Sequence, residues 1–326
     1  LKNLKQKNMA NQKVWNSDFV NALDQLEMIS KNRGNIWGSR AYKSASDAIL
    51  TLQENVYDIN QLKNTPKIGK SILEKLNNLV ENGKIEEIEK EKTNPLHQFN
   101  KIYGVGPKKA LALSKEVKSI DELKNNQNLL NNKQKIGLKY FEDIQKRIPR
   151  KEIDEYNKII QKIVKDLKKF DKSIDAQIVG SYRRGALSSG DIDVIITSDD
   201  KKYFDKFIKL IEEKNMILEY LAKGEKKSLV IGTLANEDSI PRRLDFLYSP
   251  PKEYAFAILY FTGSKAFNIV MRRHALKLGY SLNEHGFTPT VSQNFEKEKD
   301  IFDFLELKYK TPIQRKSGLD VISNSS

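Results

Sequence analysis

The chain has 326 residues, with 57 lysines and arginines against 43 aspartates and glutamates, and a formal net charge of +14 at pH 7. This length predicts two or three domains, and the positive charge predicts an anionic partner. Because basic residues are spread along the whole chain, an extended polyanion fits better than a small acidic substrate. The absence of cysteine excludes disulfides, zinc fingers and thiol catalysis. No apolar run approaches membrane-spanning length and no signal peptide is visible, which predicts an intracellular, reducing location without a membrane partner.

The first part of the chain is predicted to be helical. Residues 1–15 are polar and rich in lysine, and they predict a disordered arm. A helix is predicted from about Ser17 to Lys31, because apolar residues recur at helical spacing, at Phe19, Val20, Leu23, Leu26 and Ile29. A second helix is predicted to begin at Tyr42.

Two similar stretches, residues 65–76 and 102–111, place an apolar residue and a glycine before a helix start. The first contains Lys67-Ile68-Gly69 before a helix predicted over Lys70–Asn82, and the second contains Gly104-Val105-Gly106. Such a turn exposes backbone N–H groups to a phosphate, with a helix N-terminus behind them. Both stretches resemble helix-hairpin-helix motifs. An ordinary helical corner is the alternative, but a repeated pair on a basic chain favours DNA binding.

A junction leads from these motifs into the second half of the chain. Residues 137–150 are basic and interrupted by Pro149, and a helix is predicted over Lys151–Phe170. Further along, a helix near Tyr203–Lys214 and a strand near Ser228–Thr233 are predicted.

Residues 180–193, with the sequence GSYRRGALSSGDID, lie between two apolar runs that predict strands. Residues two apart on a strand share a face, so Asp191 and Asp193 project together while Ile192, Val194 and Ile196 point into a core. Paired carboxylates repel each other unless a cation lies between them, and their oxygens suit Mg²⁺. A surface Asp-x-Asp pair on a strand edge is the alternative.

The same stretch offers backbone N–H groups and hydroxyls around its glycines and serines. Gly185 and Ser188-Ser189-Gly190 follow the Gly180-Ser181 turn, and Arg183 and Arg184 add positive charge. These groups predict a site for a triphosphate.

A third carboxylate is predicted on the strand Arg243–Tyr248. Asp245 alternates with Leu244 and Phe246, so its carboxylate lies on the face opposite these apolar residues. If this strand lies beside the one that carries Asp193, Asp245 becomes a third metal ligand. A solvent-facing aspartate is the alternative.

The last part of the chain begins with Tyr260-Phe261-Thr262-Gly263-Ser264, followed by a predicted helix that carries Phe267 to Leu276. From about Lys316 the chain is polar, which predicts a disordered tail.

The order of these motifs resembles the X family of DNA polymerases, in its short beta-like form without a BRCT region. The resemblance runs from about Phe19 to Arg315 and rests on both hairpins, GSYRRGALSSGDIDV, the RRxD strand, YFTGS and DIFDFL. It implies an α+β multidomain fold: a helical lyase-like domain (16–91), a helix-hairpin-helix DNA-binding subdomain (92–151), a palm with a mixed β-sheet (152–262) and a nascent-base-pair subdomain (263–315), between the disordered arm and tail (316–326).

The resemblance also implies roles for individual residues. Asp191, Asp193 and Asp245 match the ligands of two Mg²⁺ ions, for which Mn²⁺ can substitute, and Lys75 matches the Schiff-base lysine of the lyase. Nucleotide contacts match Arg147, Gly180, Ser181, Arg184, Ser189, Gly190, Tyr260, Phe261, Gly263, Lys265, Asn268 and Arg272. DNA contacts match Tyr42, Lys63, Gly69, Gly104, Gly106 and Lys108, with a monovalent cation at the hairpin turns.

Several positions depart from the family pattern. Lys265 stands where an aspartate is usual, and Leu247 replaces an arginine. In the lyase pocket, basic or histidine positions are taken by Trp37, Gly38 and Ser71, and the first hairpin has Lys67 in place of glycine. The changes in the lyase pocket predict a weaker 5′-phosphate site, and Lys67 is expected to alter the phosphate or monovalent-cation geometry of the first hairpin. Lys63 and Lys70 are expected to lower the pKa of Lys75.

The function that this resemblance implies is gap filling by a DNA-directed DNA polymerase in base-excision repair, with 5′-deoxyribose-phosphate lyase activity. The expected partners are gapped or nicked DNA and a dNTP, bound by a monomer in the nucleus or another DNA-containing compartment, alongside other repair proteins.

Template-independent nucleotide addition is one alternative, but residues 236–241 before the RRxD strand look short for it. A non-catalytic DNA-end binder is another, although all three carboxylates are present.

Overall fold

A computed structural model describes residues 12–236 and 238–324. Most of the predicted arm lies outside these residues, but its end is held in place, because the Trp15 amide donates to the Val56 carbonyl at 2.8 Å and the indole stacks on Phe19. The chain divides into two compact units, one ending at Lys135 and one beginning at Ile136. Within the described ranges, no helix combines the length and apolarity that crossing a membrane requires.

The first unit is helical. Its helices are α1 (Asn16–Asn32), α2 (Ile36–Leu50), α3 (Lys70–Asn82), α4 (Glu86–Lys92), α5 (Pro95–Asn100), α6 (Pro107–Glu116) and α7 (Ile120–Asn125), with α8 (Asn132–Lys139) running across the division and 3-10 turns at Ile59–Leu62 and Gln127–Leu129. Helix α2 begins six residues before the predicted start at Tyr42, because the Asn35 side chain accepts from the Gly38 amide at 2.9 Å and caps the helix there.

The predicted apolar stripe of α1 forms the centre of this unit. Phe19 and Leu23 pack with Leu76 of α3, whereas Leu26 and Ile29 pack with residues that flank and belong to α4. Phe19, Leu23 and Leu26 expose no surface, so α1 is fixed from two sides. This packing holds α3 and α4 near each other and so brings Lys75 of α3 within reach of α4.

The second unit combines a mixed sheet with helices. Its strands are β1 (Ile148–Pro149), β2 (Asp175–Ile178), β3 (Ser188–Ser189), β4 (Ile192–Thr197), β5 (Ile217–Gly224), β6 (Lys227–Gly232), β7 (Arg242–Tyr248), β8 (Ser281–Asn283) and β9 (Gly286–Thr288). Its helices are α9 (Arg150–Leu167), α10 (Gly180–Arg183), α11 (Lys202–Glu213), α12 (Pro251–Thr262), α13 (Lys265–Lys277) and α14 (Glu298–Phe304), with 3-10 turns at Pro312–Gln314 and Gly318–Asp320.

The main sheet has the strand order β2-β4-β7-β6-β5, in which β4 and β7 are parallel and the other pairs antiparallel. As predicted, Ile192, Val194 and Ile196 are fully buried, and they pack with apolar residues of α9 and α11. On the other face of β4, Ile195 packs with Val179 and with α12. The α+β multidomain class is therefore confirmed, while the finer boundaries near residues 91, 151 and 262 stay predictions.

The tail is ordered up to residue 324, contrary to the predicted disorder from Lys316. Ser323 pairs with Leu307 in an antiparallel bridge, and the Ser317 and Lys316 amides donate to Asp320. Arg315 exposes no surface and donates to Glu298 at 2.6 Å. Polar composition suggested disorder, but a buried ion pair and a strand bridge fix this segment.

Candidate active site

The parallel pairing of β4 and β7 brings the predicted carboxylates together. Asp193 lies directly opposite Asp245 in the register, and Asp191 precedes β4 by one residue on the same face as Asp193. Asp245 is buried, with 7% of its surface exposed, whereas Asp191 lies exposed at the end of the strand. The structure therefore gathers all three carboxylates at one end of the sheet.

Asp245 is held by an arginine that the sequence analysis did not single out as functional. Arg243 donates from Nε to Oδ1 at 3.0 Å and from Nη2 to Oδ2 at 2.7 Å. Nowhere in residues 12–236 and 238–324 do three acidic or histidine side chains converge closely enough to hold a metal ion as they stand. The two-residue spacing of Arg243 and Asp245 on one strand was the signal for this pair, because such residues share a face.

The electrostatics of the carboxylates nevertheless suit a cation. Burial, and then the negative charges of Asp191 and Asp245, raise the pKa of Asp193 to about 7. A divalent cation between the carboxylates would remove this repulsion, and an all-oxygen donor set matches Mg²⁺ or Mn²⁺. These residues therefore fit the metal that the sequence predicts, with Arg243 as a competitor for the Asp245 carboxylate.

The predicted phosphate loop lies against these carboxylates. Gly180 has a φ of +64°, and a Cβ at this position would lie 3.7 Å from Oδ2 of Asp193. The Ser181 and Ser189 hydroxyls are 2.7 Å apart, which closes the loop on itself. A phosphate bound by these serines would therefore lie beside the carboxylates.

Three arginines lie on or near this loop, and they bond different partners. Arg147 donates to Ser188 Oγ at 3.1 Å and to its carbonyl at 2.6 Å, and lies near Gly190. Arg184 donates to the Thr262 carbonyl at 2.5 Å and lies against Gly263. Arg183, by contrast, was predicted to add charge at the triphosphate, but it forms a two-pronged ion pair with Glu298 at 2.8 and 3.1 Å.

The residues predicted to contact the sugar and the nascent base pair cluster where α12 ends and α13 begins. The Tyr260 and Phe261 rings meet edge to face at 5.1 Å, and Asn268 donates to the Tyr260 carbonyl at 2.7 Å. Tyr260, Asn268 and Arg272 line one small cleft. Lys265 is the exposed first residue of α13.

Leu247 occupies the position where the family resemblance implies an arginine. Leu247 packs with Val179 and Ile195 in an apolar cluster on the face of the sheet that α12 covers. It therefore contributes to packing and brings no charge to the carboxylates.

The two hairpin turns in the first unit have nearly the same backbone. Lys67 and Gly104 have φ angles of 72° and 82°, and Gly69 and Gly106 precede their helices with φ/ψ of −85°/173° and −91°/174°. Lys67 therefore reproduces the left-handed turn despite its side chain. Lys63 and Lys108 are exposed near the two turns.

We expect Lys67→Gly to stabilise the first unit by about 0.5–1 kcal/mol, because a left-handed backbone costs a lysine more than a glycine. Gly104→Ala is the matched opposite change in the second turn, and it should destabilise the protein. Urea unfolding followed by tryptophan fluorescence measures both. Equal or lower stability of Lys67→Gly would show that the turn is not strained.

Lys75 on α3 forms an ion pair with Glu87 of α4 and lies 5.9 Å from the Tyr42 ring centre. Burial by itself would lower the pKa of Lys75, but the bond to Glu87 and the nearby Tyr42 outweigh it and raise the pKa above its usual value. The prediction that Lys63 and Lys70 lower it was therefore wrong. A bonded carboxylate acts on the amine more strongly than lysines that are not bonded to it.

The departures around this lysine also have structural consequences. Trp37 is 79% exposed, with the Arg40 guanidinium 5.5 Å from its ring centre. Gly38 lies so close to the capping Asn35 side chain that a Cβ there would be 2.5 Å from Nδ2. A basic side chain at position 38 would therefore require the capping Asn35 side chain to move.

Comparison with known proteins covers nearly all of the described chain. Residues 147–251 match the DNA polymerase beta palm, 257–316 the DNA polymerase beta thumb, 97–145 the fingers domain of DNA polymerase lambda, and 14–85 a helix-hairpin-helix domain. These segments follow one another in the order that the sequence motifs predicted.

Three curated relatives share this arrangement. DNA polymerase lambda of Arabidopsis thaliana is 30% identical over 92% of this chain and 62% of its own length, and that of Rattus norvegicus is 28% identical over 94% and 57%. DNA nucleotidylexotransferase of Xenopus laevis is 26% identical over 92% and 68%. The chain thus spans about three fifths of the length of the two polymerases. Since palm, thumb, fingers and hairpin segments all match in order, the chain belongs to the X family of DNA polymerases.

Proposed function

We propose that the protein is a metal-dependent, DNA-directed DNA polymerase that fills short gaps, in base-excision repair. The observation that carries this proposal is the register of β4 and β7, which sets Asp193 opposite Asp245 beside the Gly180 loop. Three carboxylates next to a phosphate-binding loop suit the transfer of a nucleotide to a primer 3′-OH. The relatives named DNA polymerase lambda support it.

Asp191, Asp193 and Asp245 would hold two Mg²⁺ ions, for which Mn²⁺ can substitute. When bound, these ions supply charge neutralisation for the attacking and leaving oxygens. Arg243 bonds both oxygens of Asp245, so this ion pair would compete with a metal ion for the carboxylate. The protein contributes position and charge and forms no covalent bond to the nucleotide.

The remaining predicted residues would bind different parts of the nucleotide and the DNA. Ser181, Ser189, Arg147 and Arg184 would bind the triphosphate, and residues 260–263 would exclude a ribose 2′-OH by backbone crowding. The two hairpin turns would bind phosphates of gapped or nicked DNA, with a monovalent cation. We place the protein in a DNA-containing compartment, as a monomer that works with other repair proteins.

Template-independent addition is the second candidate, because one relative is named DNA nucleotidylexotransferase. The connection between β6 and β7 is short, however, comprising residues 233–241, and it leaves little chain to occupy a template position.

Primer extension separates these candidates. On gapped, nicked and single-stranded DNA, with one dNTP at a time, a gap-filling polymerase adds the templated nucleotide to the gapped substrate and requires divalent metal. Addition of any dNTP to single-stranded DNA would favour the template-independent function. No addition to any substrate would favour a DNA-end binder.

We propose in addition that Lys75 is the lyase nucleophile, which attacks the C1′ aldehyde of a 5′-deoxyribose phosphate. With wild-type protein, borohydride should trap a covalent DNA adduct, and Lys75→Ala should reduce the adduct by more than about tenfold. Lys70→Ala, on the same helix, is the control and should keep it. An undiminished adduct in Lys75→Ala would place the nucleophile on another lysine.

Lys265 is expected to strengthen nucleotide binding for correct and incorrect bases alike, because its charge attracts the triphosphate whichever base is attached. Lys265→Asp should therefore weaken dNTP binding by several-fold without lowering fidelity. Single-turnover kinetics with all four nucleotides measures both quantities, with Lys277→Asp at the other end of α13 as the control. Tighter binding of the correct nucleotide in Lys265→Asp would contradict this role.

A further inference from the structure

Lys75 opens onto a charged cleft in the first unit. The cleft has a volume of about 740 Å³, and its lining includes Arg33, Asn78, Lys84, Glu87 and Lys90. A space of this size admits a sugar phosphate, and most of its charged groups are basic. The Lys75 amine is nevertheless not presented freely to this space, because it is bonded to a carboxylate within it.

That carboxylate, Glu87, is itself held in place. Arg33, which follows α1, donates to Glu87 Oε1 at 3.2 Å and from Nε to Glu91 Oε1 at 3.1 Å. Glu91 is buried, with 5% of its surface exposed, and accepts from Asn94 at 3.0 Å. The half-buried Glu87 is therefore anchored by a network across α1 and α4, unlike a solvated surface carboxylate.

Resting on the lyase activity proposed above, we propose that Glu87 is a positioning residue that restrains the lyase: its ion pair keeps the Lys75 amine in the ammonium form, and this pair has to open before the amine can attack a sugar aldehyde. Glu87 itself does not touch the substrate. Opening of this ion pair would then set the rate at which Lys75 reacts.

The chemistry of imine formation explains why the ion pair matters. The lone pair of Nζ forms the new bond to C1′, so the ammonium must first lose one proton. The adduct then loses its hydroxyl, which leaves as water when it takes up one proton, so ammonium plus aldehyde gives iminium plus water. A bonded carboxylate stabilises the ammonium over the neutral amine and thereby slows the first step.

The groups around the amine all come from identified elements. Tyr42 lies on α2, and Glu86 and Glu87 on α4 carry negative charge. Arg33 and the cleft residues Lys84 and Lys90 carry positive charge. The bond to Glu87 heads the influences that raise the pKa of Lys75 against the opposing effect of burial. Neutralising Glu87 should therefore let burial and the cationic neighbours favour the free amine.

The first experiment measures the amine without DNA. Trace labelling with acetic anhydride across pH 6–11, read by mass spectrometry of peptides, compares Lys75 with the exposed Lys63 in the same digest. In Glu87→Gln, labelling of Lys75 near neutral pH should rise several-fold and its pH profile should move to lower pH. Glu89→Gln, a change of an exposed carboxylate on the same helix that does not line this cleft, should match the wild type. An unchanged Lys75 profile in Glu87→Gln would overturn the proposal.

The second experiment measures the reaction. Borohydride trapping on a 5′-deoxyribose-phosphate substrate at pH 7, with protein in excess at a concentration that saturates the DNA, should be several-fold faster in Glu87→Gln, so that a change in DNA affinity does not contribute. Glu87→Asp should restore slow trapping. Slower trapping in Glu87→Gln would overturn the restraint and make Glu87 a proton carrier. If labelling responds as expected but the wild type and Glu87→Gln give no adduct at any pH, the lyase assignment fails while the ion pair is still shown to control the amine.

Discussion

Asp245→Asn is expected to reduce primer extension by about 10²- to 10³-fold or more, while affinity for gapped DNA stays within a few-fold. The loss follows from the position of Asp245, directly opposite Asp193 across a parallel strand pair. An amide there is neutral and cannot neutralise a divalent cation as a carboxylate does. The fold should persist, because the amide oxygen still accepts from Arg243. Single-turnover extension and binding titrations measure the two quantities.

Asp199→Asn is the matched control for this change. Asp199 is exposed and lies just beyond the end of β4 that is remote from Asp191 and Asp193. Its substitution removes the same charge as Asp245→Asn but leaves the three carboxylates of the site in place. It should extend primers like the wild type. Near-normal turnover of Asp245→Asn would show that the carboxylates do not form a metal site, whereas a loss of DNA affinity would show that Asp245 acts through the fold.

The parts of this site that the sequence predicted are those that depend on local periodicity. Period-two alternation put Asp191 and Asp193 on one face and Asp245 opposite its apolar neighbours, and the sheet then brought the faces together. The same rule could have found Arg243, since it lies two residues from Asp245.

Contacts between distant segments could not be predicted in this way. Glu87 is twelve residues from Lys75 and lies on another helix. The lysines near Lys75 in the chain therefore predicted the wrong direction for the shift of its pKa. Arg315 looked like the start of a disordered tail because its partner Glu298 lies on α14, seventeen residues before it. In both cases an ion pair formed by tertiary packing outweighs what composition suggests.

Glu298→Gln is expected to destabilise the second unit by about 3–5 kcal/mol. Glu298 is 8% exposed, and its carboxylate accepts hydrogen bonds from Nη1 and Nη2 of Arg183 and from Nη1 of Arg315. Arg315 exposes no surface. Removing the carboxylate charge leaves two arginines near each other in a buried site, where an uncompensated charge is costly. Glu296→Gln, on the exposed chain just before α14, is the control and should change stability by less than about 0.5 kcal/mol.

The pH dependence of this effect has a definite sign. Burial alone would raise the pKa of Glu298, but the bonds to Arg183 and Arg315 outweigh burial and hold the pKa below the ordinary value of 4.5. A carboxyl with a lowered pKa stabilises the folded state fully above its unfolded pKa and loses this contribution as the pH falls through its folded pKa. The difference between wild type and Glu298→Gln should therefore be largest near pH 7 and shrink below pH 4.5.

The measurement can separate the two units, because both tryptophans, Trp15 and Trp37, lie in the first. Tryptophan fluorescence in urea then reports the first unit, and hydrogen exchange of the α14 amides, read by mass spectrometry, reports the second. In Glu298→Gln, α14 should exchange faster by about two to three orders of magnitude near pH 7, while the tryptophan transition stays in place. Unchanged protection of α14 would mean that the two arginines find other partners and that the ion pairs contribute little to stability.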